Sequence, residues 1–342
     1  MTMRSELGES PAVVERLLGG ATHRIDEIVD AVRARGLDLV VIAARGTSDH
    51  AALYGQYVLG ARNGILVAPA TPSLGSIYGA SPRMGNALVV GISQSGRSPD
   101  VVGVVEAARR QGAVTVAITN DPGSELAAAA AHVVDLTAGE ELAVAATKTY
   151  VAEIAVLAML SAALTGDRAA RDELEAIPAA MRSVLAQEPA IESLAAAWPG
   201  GDRCMVLARG FNYATAREWG LKLKEVAYVL ADPYSGADFQ HGPIAMVSPG
   251  SPVLAVAVSG PALVGMVELL RRLQESGARL LVLSDVTDFA GLGDVVRLPA
   301  VPEWLSPLVA ILPAQLFAYH LALARGLDTG HPRNLSKVTL TR

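Results

Sequence analysis

The chain has 342 residues, 51% of them hydrophobic, and a formal net charge of −6 at pH 7. Its length and apolar content fit a globular protein with two domains of ordinary size. Lys and Arg form no basic block, which argues against a nucleic-acid partner because phosphate backbones are bound largely by clustered cations.

Short apolar runs alternate with longer helical patterns along the chain. The runs are continuous rather than alternating with polar residues, so they predict strands buried on both faces, in parallel sheets covered by helices. The predicted fold class is therefore α/β, with two tandem doubly wound, flavodoxin-like domains. The predicted strands are 39–44, 65–68, 87–92, 113–118 and 132–136 in the first half, and 203–208, 253–258, 279–284 and 294–298 in the second.

The two halves of the chain repeat one another. "DLVVIAARGTSDHAA" begins at Asp38 and "DRCMVLARGFNYATA" at Asp202, and both read as an aspartate, a buried strand, Ala-Arg-Gly and a polar-started helix. The offset between these two stretches also places residues 95–96 on 259–260. An offset one residue longer aligns "RRQGAVTVAITND" with "LQESGARLLVLSD". Matches in constant order and spacing indicate two copies of one fold.

The boundary between the copies is predicted near residues 187–201, which contain Pro, Trp-Pro and Gly-Gly. This gives an N-terminal domain with a leading helix over 1–190 and a C-terminal domain over 191–342. The helical segments 146–164 and 168–187 are predicted to pack the domains together or to form part of a dimer interface.

Two features bear on location. The single cysteine, Cys204, leaves no internal disulfide and predicts a reducing, cytoplasmic location. The stretch 304–324 lacks Asp, Glu, Lys and Arg, but it is interrupted by two prolines, Gln315 and His320. We interpret it as a buried helix that begins near Pro313 rather than as a membrane span.

A hydroxyl-rich turn, "SQSGRS" at residues 93–98, follows the predicted strand 87–92. In doubly wound folds ligands bind beyond the carboxyl ends of strands, where the free N–H groups of the next helix favour a phosphate. Taken alone, the turn fits a phosphate cradle or a simple helix cap. The second copy's turn, "AVSGPA", has lost the other hydroxyls, and this asymmetry favours a sugar phosphate bound by the first domain.

Charged residues of the second domain suggest proton-transfer chemistry. Lys222 and Glu225 are three residues apart on a predicted helix, so they share a face. A solvated ion pair is the alternative interpretation. His241 precedes Gly-Pro, a turn that holds an imidazole on a loop rather than in a core. A carboxylate, an amine and an imidazole near a sugar phosphate can move protons.

Six motifs occur in order over almost the whole chain: "ARGTS", "ISQSGRS", "ELAVAATK", "LKLKE", "HGP" and "PRNLSK". Together they resemble the pair of SIS (sugar isomerase) domains that forms the isomerase half of glucosamine-6-phosphate synthase. The chain is similar also to the shorter single-chain amino-sugar-phosphate deaminases and isomerases. The set is specific, whereas any one motif would be weak.

The resemblance implies roles for individual residues. Glu225 would shuttle a proton between C1 and C2, and His241 would assist ring opening from the second subunit of a homodimer. Lys222 and Lys337 would lie at the sugar, with Lys337 on a C-terminal tail where it forms or assists an imine. The implied phosphate ligands are Ser93, Gln94, Ser95 and Ser98, and the implied sugar contacts are Thr47, Ser48, Glu141 and Val144.

The chain also departs from the synthase pattern. Arg97 and Ser98 replace Glu-Thr in the loop, Ala146 replaces a serine, and 238–240 reads Asp-Phe-Gln instead of Glu-Leu-Lys. The synthase needs a glutamine-hydrolysing domain with an N-terminal cysteine, whereas this chain begins Met-Thr-Met and has its cysteine in a predicted strand. We therefore expect no glutaminase domain and a reaction that runs toward ammonia release.

The predicted reaction converts glucosamine 6-phosphate and water into fructose 6-phosphate and ammonia, with no cofactor. No metal is expected, because the six histidines show no close pairing. Two alternatives remain open. One is an isomerase or deaminase for another amino-sugar or ketose phosphate, such as a galactosamine or fructosamine phosphate. The other is a sugar-phosphate sensor without catalysis.

Overall fold

The computed structural model describes residues 2–198, 201–287, 289 and 291–337, and these form two compact units with one sheet each. The first-sheet unit contains Glu9–Leu142, Ala146–Ala176 and, from the C-terminal end, residues 336–337. The second-sheet unit contains residues 2–8, Ala143–Ala145 and the described part of Ile177–Leu335. The units exchange short segments, whereas the predicted domains, 1–190 and 191–342, divide the chain once.

Strands and helices alternate through most of the chain. The strands are β1 (Leu39–Ala43), β2 (Leu66–Pro69), β3 (Leu88–Ile92), β4 (Val114–Thr119), β5 (His132–Asp135), β6 (Arg203–Ala208), β7 (Leu230–Ser235), β8 (Pro252–Val256), β9 (Arg279–Ser284) and β10 (Asp294–Arg297). The α-helices of the described residues are α1 (Met3–Gly8), α2 (Ser10–Gly20), α3 (Thr22–Arg35), α4 (Thr47–Asn63), α5 (Ser73–Ser76), α6 (Pro99–Arg110), α7 (Glu125–Ala129), α8 (Lys148–Thr165), α9 (Arg168–Glu175), α10 (Ile177–Leu185), α11 (Glu188–Ala197), α12 (Tyr213–Val226), α13 (Gly236–Phe239), α14 (Leu263–Glu275) and α15 (Ser306–Ala324).

Both sheets are parallel and have the same topology. The first has the order β2-β1-β3-β4-β5, and the second has β10-β9-β8-β6-β7, which is the same order counted from β6 and read from the other edge. All the strand pairs are parallel. The predicted α/β fold with two doubly wound copies is therefore confirmed.

Every predicted strand is present, and β7 is one that the sequence analysis missed. Its sequence, "LADPYS", contains Asp232 and Pro233, so it does not read as a continuous apolar run. Proline cannot donate a ladder hydrogen bond and is tolerated at a sheet edge. β7 is such an edge, since it pairs with β6 at the end of the second sheet.

Two apolar helical stretches are long enough to cross a membrane by composition, Lys148–Thr165 and Glu303–Ala324. Their apolar windows are 89% and 83% buried in the protein, as is usual for core helices. The predicted start of the last helix near Pro313 is wrong, because α15 begins at Ser306 with Pro307 in its first turn. Proline is suited to that position, where no intrahelical N–H bond is made.

Three loops emerge at the end of the first sheet where its parallel strands have their carboxyl termini. β1, β3 and β4 are adjacent and parallel, so the segments that follow Ala43, Ile92 and Thr119 emerge side by side. The first two of these segments lead into α4 and α6, whose N-terminal N–H groups point toward the same end of the sheet. This is where a doubly wound fold places ligands.

Candidate active site

The serine loop, residues 93–98, connects β3 to α6 in a tight turn. Gly96 has φ 63°, and a Cβ on it would lie 2.0 Å from Ser124 Oγ, so only glycine fits there. The Ser93 N–H donates to the Ile118 carbonyl at 3.1 Å, and the Ser93 and Ser98 hydroxyls lie 3.3 Å apart. The turn therefore presents clustered hydroxyls on a backbone fixed by its neighbours.

The loop after β4 supports the serine loop. The Gln94 carbonyl accepts hydrogen bonds from the Asn120 N–H at 3.1 Å and the Thr119 hydroxyl at 3.3 Å. Arg97, the residue that departs from the synthase pattern, reaches Asp121 at 3.4 Å in an exposed ion pair. Such pairs contribute little to stability, so Arg97 adds at most a weak brace between the two loops.

The Ala-Arg-Gly turn after β1 is tied to the helix that follows the serine loop. Arg45 Nε donates to Asp100 Oδ2 at 2.7 Å, and Asp100 is buried in the first turn of α6. Thr47, partly exposed, begins α4. The next residue, Ser48, is buried and donates its hydroxyl to Glu153 Oε1 at 2.7 Å. Thr47, Ser48 and the serine loop thus all belong to the first-sheet unit and follow the carboxyl ends of its strands.

Glu141 is buried and engaged by its own unit. Its carboxylate accepts the Thr147 and Thr149 N–H groups at 2.9 and 3.2 Å and the Thr149 hydroxyl at 2.7 Å. Lys337 Nζ donates at 2.9 Å to Oε2, the oxygen that also accepts the Thr149 hydroxyl. Burial would raise the pKa of Glu141, but the Lys337 ammonium and the donated hydrogen bonds hold it below its ordinary value. An imine on Lys337 would require its ammonium to lose a proton and leave this carboxylate.

An open cleft of about 600 Å³ lies between the serine loop and the Glu141 loop. The Asn120 amide spans its floor, donating to the Gly139 carbonyl at 2.7 Å and accepting the Ala138 N–H at 2.9 Å. The cleft is lined by Gln94, Asn120, Asp135, Thr137, Gly139, Glu140, Glu141, Leu142 and Lys337. It brings together three residues that the sequence analysis implicated, Gln94, Glu141 and Lys337.

The second-sheet unit contains a buried charge cluster on α12. The Lys222 ammonium is fully buried, 2.6 Å from Glu225 Oε2 and 3.2 Å from Glu218 Oε1. Burial alone would lower the pKa of Lys222, but the two carboxylates outweigh it and raise the pKa. A solvated ion pair, the alternative interpretation, is therefore wrong. Glu225 is the member that reaches the surface, with 20% of its side chain exposed.

Sequence reasoning missed Glu218, which is fully buried. It lies four residues before Lys222, and that helical spacing could have identified it as the second partner of the lysine. With both glutamates ionised, the cluster has one more negative charge than positive. One carboxylate can then act as a base while the lysine remains an ammonium.

The remaining implicated residues of this unit lie on loops. His241 is exposed, after α13 and before a 3₁₀ turn that starts at Pro243. Phe239, one of the three residues before His241 that depart from the synthase pattern, is a core residue. Its ring is buried and lies 5.4 Å from the ring of Tyr234. Val144 is partly buried in the short segment Ala143–Ala145.

The second copy's turn carries carboxylates where the first copy has hydroxyls. Gly260 has φ 147°, and a Cβ on it would lie 2.3 Å from Glu303 Oε2. The Ser259 N–H donates to Asp285 Oδ1 at 2.8 Å, and burial raises the pKa of Glu303. Glu303 occupies the space beside Gly260 and Asp285 already engages the Ser259 N–H, so this turn is disfavoured as a second phosphate site.

Among the residues that the structure describes, no three His, Cys, Asp or Glu side chains are grouped to hold a metal ion. Proton transfer is the chemistry that these side chains can perform without further groups.

Comparison with known proteins gives a consistent result. The SIS domain family matches residues 28–163 and 201–325. The glutamine–fructose-6-phosphate aminotransferase (isomerizing) of Methanothermobacter thermautotrophicus is 36% identical over 347 residues, covering 98% of this chain and 56% of that protein. The chain thus spans little more than half the length of that relative.

Two solved structures have the same fold. A proposed phosphosugar isomerase from Silicibacter pomeroyi superposes with a TM-score of 0.88 and 33% identity, over 96% of this chain and 100% of that one. The C-terminal domain of glucosamine-fructose-6-phosphate aminotransferase from Francisella tularensis gives a TM-score of 0.85 and 24% identity, over 96% and 98% of the two chains.

Proposed function

The chain belongs to the SIS domain family, and from this premise we propose that it is an amino-sugar-phosphate deaminase/isomerase. The proposed reaction converts glucosamine 6-phosphate and water into fructose 6-phosphate and ammonia. The observation that carries the proposal is the buried cluster on α12, in which an ammonium lies between two carboxylates and one carboxylate, Glu225, reaches the surface.

The cluster fits a proton transfer between neighbouring carbons. In the open-chain amino aldose, a base removes the C2 proton and returns it to C1, which leaves a ketose imine. Water adds to C2 of the imine and ammonia leaves, so one water is consumed for each ammonia released. Glu225 is the proposed base, and the ammonium of Lys222 favours negative charge developing beside it. The raised pKa of Lys222 opposes its use as a neutral amine.

The serine loop supports a phosphate at the far end of the substrate. Ser93, Ser95 and Ser98 offer hydroxyls at the start of α6, where free N–H groups and the helix dipole favour an anion. Binding energy gained there, away from the reacting carbons, can be used to position the sugar for proton transfer.

The state of the cysteine supports the direction of the reaction. Cys204 is the only cysteine of this chain, and it lies in β6. Burial raises its pKa to about 12, so the thiolate needed to attack glutamine is not accessible at neutral pH. Cys204 thus does not serve as the nucleophile for glutamine hydrolysis, which supports the proposed release of ammonia.

We further propose that the chain is a cytoplasmic homodimer without a cofactor. His241 is exposed on its loop, as expected of a side chain that opens the sugar ring bound by the other subunit. The burial of α8 and α15 supports a soluble protein.

The test is a substrate panel with product analysis. Glucosamine 6-phosphate, its C4 epimer, and C1-amino and ketose phosphates are incubated with the protein, and ammonia and hexose phosphates are measured. Release of ammonia and fructose 6-phosphate from the first compound is the expected result. Turnover of another compound alone would reassign the substrate. Ligand-induced thermal stabilisation without any product would refute catalysis in favour of a sensor.

The matched variant is Glu225→Gln, which keeps the shape of the side chain and removes the base. It should lower turnover by about 10²–10⁴-fold, the usual contribution of a general base. Glu275→Gln, the same change at an exposed position on α14, is the control and should leave turnover unchanged. Wild-type turnover by Glu225→Gln would refute the assigned base.

A further inference from the structure

A buried carboxylate lies directly behind one of the predicted sugar contacts. Ser48 is in the first turn of α4, at the end of the first sheet where the serine loop also emerges. Its hydroxyl donates to Glu153 Oε1 at 2.7 Å. Ser48 is 8% exposed and Glu153, on α8, is 1% exposed. The two residues are far apart in the chain, and no spacing in the sequence connects them.

This contact determines how Ser48 can bind a ligand. A serine hydroxyl has one proton to donate and two lone pairs that accept. With the proton directed to Glu153, Ser48 can offer a ligand only its lone pairs. The hydroxyl therefore recognises a group that donates, such as a sugar hydroxyl or an ammonium, and is unsuited to a phosphate oxygen, which accepts.

The serine loop has the opposite character. The Ser93 and Ser98 hydroxyls lie 3.3 Å apart and can share only one proton between them, which leaves the other proton for an acceptor. Donors suit the phosphate. The two neighbouring segments would thus distinguish the two ends of a sugar phosphate by hydrogen-bond polarity.

Burial makes the polarity of Ser48 durable. A buried carboxylate is costly unless it is hydrogen-bonded, so the Ser48 contact is maintained instead of being exchanged for water. The hydroxyl is consequently held in one orientation before the ligand arrives, which avoids an entropic cost on binding.

We infer that Glu153 is a positioning residue that makes Ser48 an acceptor for a hydroxyl or ammonium group of the sugar. The inference rests on the proposed function, because it takes a sugar phosphate as the ligand. Glu153 thus sets the selectivity for the sugar end of the ligand through Ser48, without touching the ligand itself.

The test compares two ligands, inorganic phosphate and glucosamine 6-phosphate, by isothermal titration. In Glu153→Leu the acceptor is lost and the Ser48 hydroxyl can rotate. Affinity for glucosamine 6-phosphate should fall about tenfold, the value of one good hydrogen bond, while affinity for phosphate should stay within about twofold. Glu153→Gln keeps a carbonyl acceptor and should restore part of the lost affinity.

Ser161→Ala is the matched control. Ser161 Oγ donates to Asn63 Oδ1 at 2.7 Å, so this pair also joins α8 to α4, but at the other end of α4. It should leave both affinities unchanged even if the unfolding temperature falls. Ser48→Ala should reproduce the selective loss, and adding Glu153→Leu to it should cost less than about a further twofold.

An equal loss of both affinities in Glu153→Leu, or no loss at all, would overturn the inference. If that variant does not fold, Ser48→Ala and Glu153→Gln decide the question, and unchanged glucosamine 6-phosphate affinity in Ser48→Ala refutes it. The readout is binding and not turnover. A wild-type protein that binds glucosamine 6-phosphate without releasing ammonia refutes the proposed reaction and leaves this comparison intact.

Discussion

Replacing Lys222 by methionine should destabilise the second-sheet unit strongly. Lys222 is fully buried, with carboxylates 2.6 and 3.2 Å from its ammonium. Methionine fills much of the same space and removes the ammonium that lies 3.2 Å from buried Glu218. Removing one partner of a buried ion pair typically costs about 3–5 kcal/mol, chiefly because the remaining charge is uncompensated.

The expected size of the effect can be stated as a melting temperature. For a domain of this size, each kcal/mol corresponds to roughly 2–4 °C, so the unfolding temperature should fall by about 10 °C. Calorimetry or circular dichroism measures it. Lys224→Met is the matched control, because it makes the same change on the same helix at an exposed position. A surface substitution of this kind should change stability by about 0.5 kcal/mol or less.

The pH dependence gives an independent check. In the wild type, the pKa of Lys222 is raised, so its contribution is fully present below about pH 10.5 and is lost only as the pH rises through the folded value. Changes of pH within the neutral range should therefore not change it. A buried carboxylate that has lost a neighbouring cation is disfavoured in its charged form, so the loss of stability in the variant should grow relative to the wild type as the pH rises from 5 to 8.

Two results would refute this reasoning. The first is an unfolding temperature for Lys222→Met that matches the control, which would mean that the buried ammonium contributes nothing. The second is a large loss that does not change relative to the wild type between pH 5 and 8. That result would assign the loss to packing and not to an uncompensated carboxylate.

Three further predictions concern the first-sheet unit. Gly96→Ala should abolish phosphate binding, because the added Cβ would lie 2.0 Å from Ser124 Oγ. Gly103→Ala is the control and should bind phosphate normally in the same titration, because no atom lies within 4 Å of its added Cβ. The lowered pKa of Glu141 contributes stability above about pH 4.5 that is lost on acidification. Lys337→Met should therefore be less stable than the wild type at neutral pH and lose less stability on acidification, so that the difference shrinks in acid melts, and an unchanged acid profile would contradict this. Titration should give one phosphate per chain, and a stoichiometry of two would contradict the asymmetry of the copies.

Local patterns predicted most of the fold. Continuous apolar runs identified the buried strands, and the repeat offset matched β3 to β8 and β4 to β9. The sequence analysis missed β7 because an edge strand is hydrogen-bonded to a neighbour on one side only and therefore tolerates Asp232 and Pro233. The start of α15 was misplaced because Pro313 resembles a first-turn proline, whereas Pro307 occupies that place.

Residue spacing predicted the candidate site only where its residues are close in sequence, whereas Glu141 and Lys337 were implicated by the family resemblance. The serine loop and the Lys222–Glu225 pair follow from short spacings, and Glu218 could have been found in the same way. Glu153 could not, because it meets Ser48 only once α4 and α8 pack together. A buried acid within an apolar helix is a signal of a polar partner, but sequence does not say which one.

The two copies show how one fold came to have one candidate phosphate site. Glu141 and Glu303 occupy equivalent positions, since the same number of residues separates each from the last residue of β5 or β10. In the first copy the carboxylate turns inward, to the Thr147 and Thr149 N–H groups and to Lys337. In the second copy it lies against Gly260, at the turn that corresponds to the serine loop. An equivalent residue therefore leaves the first turn open to an anion and occupies the space beside the second.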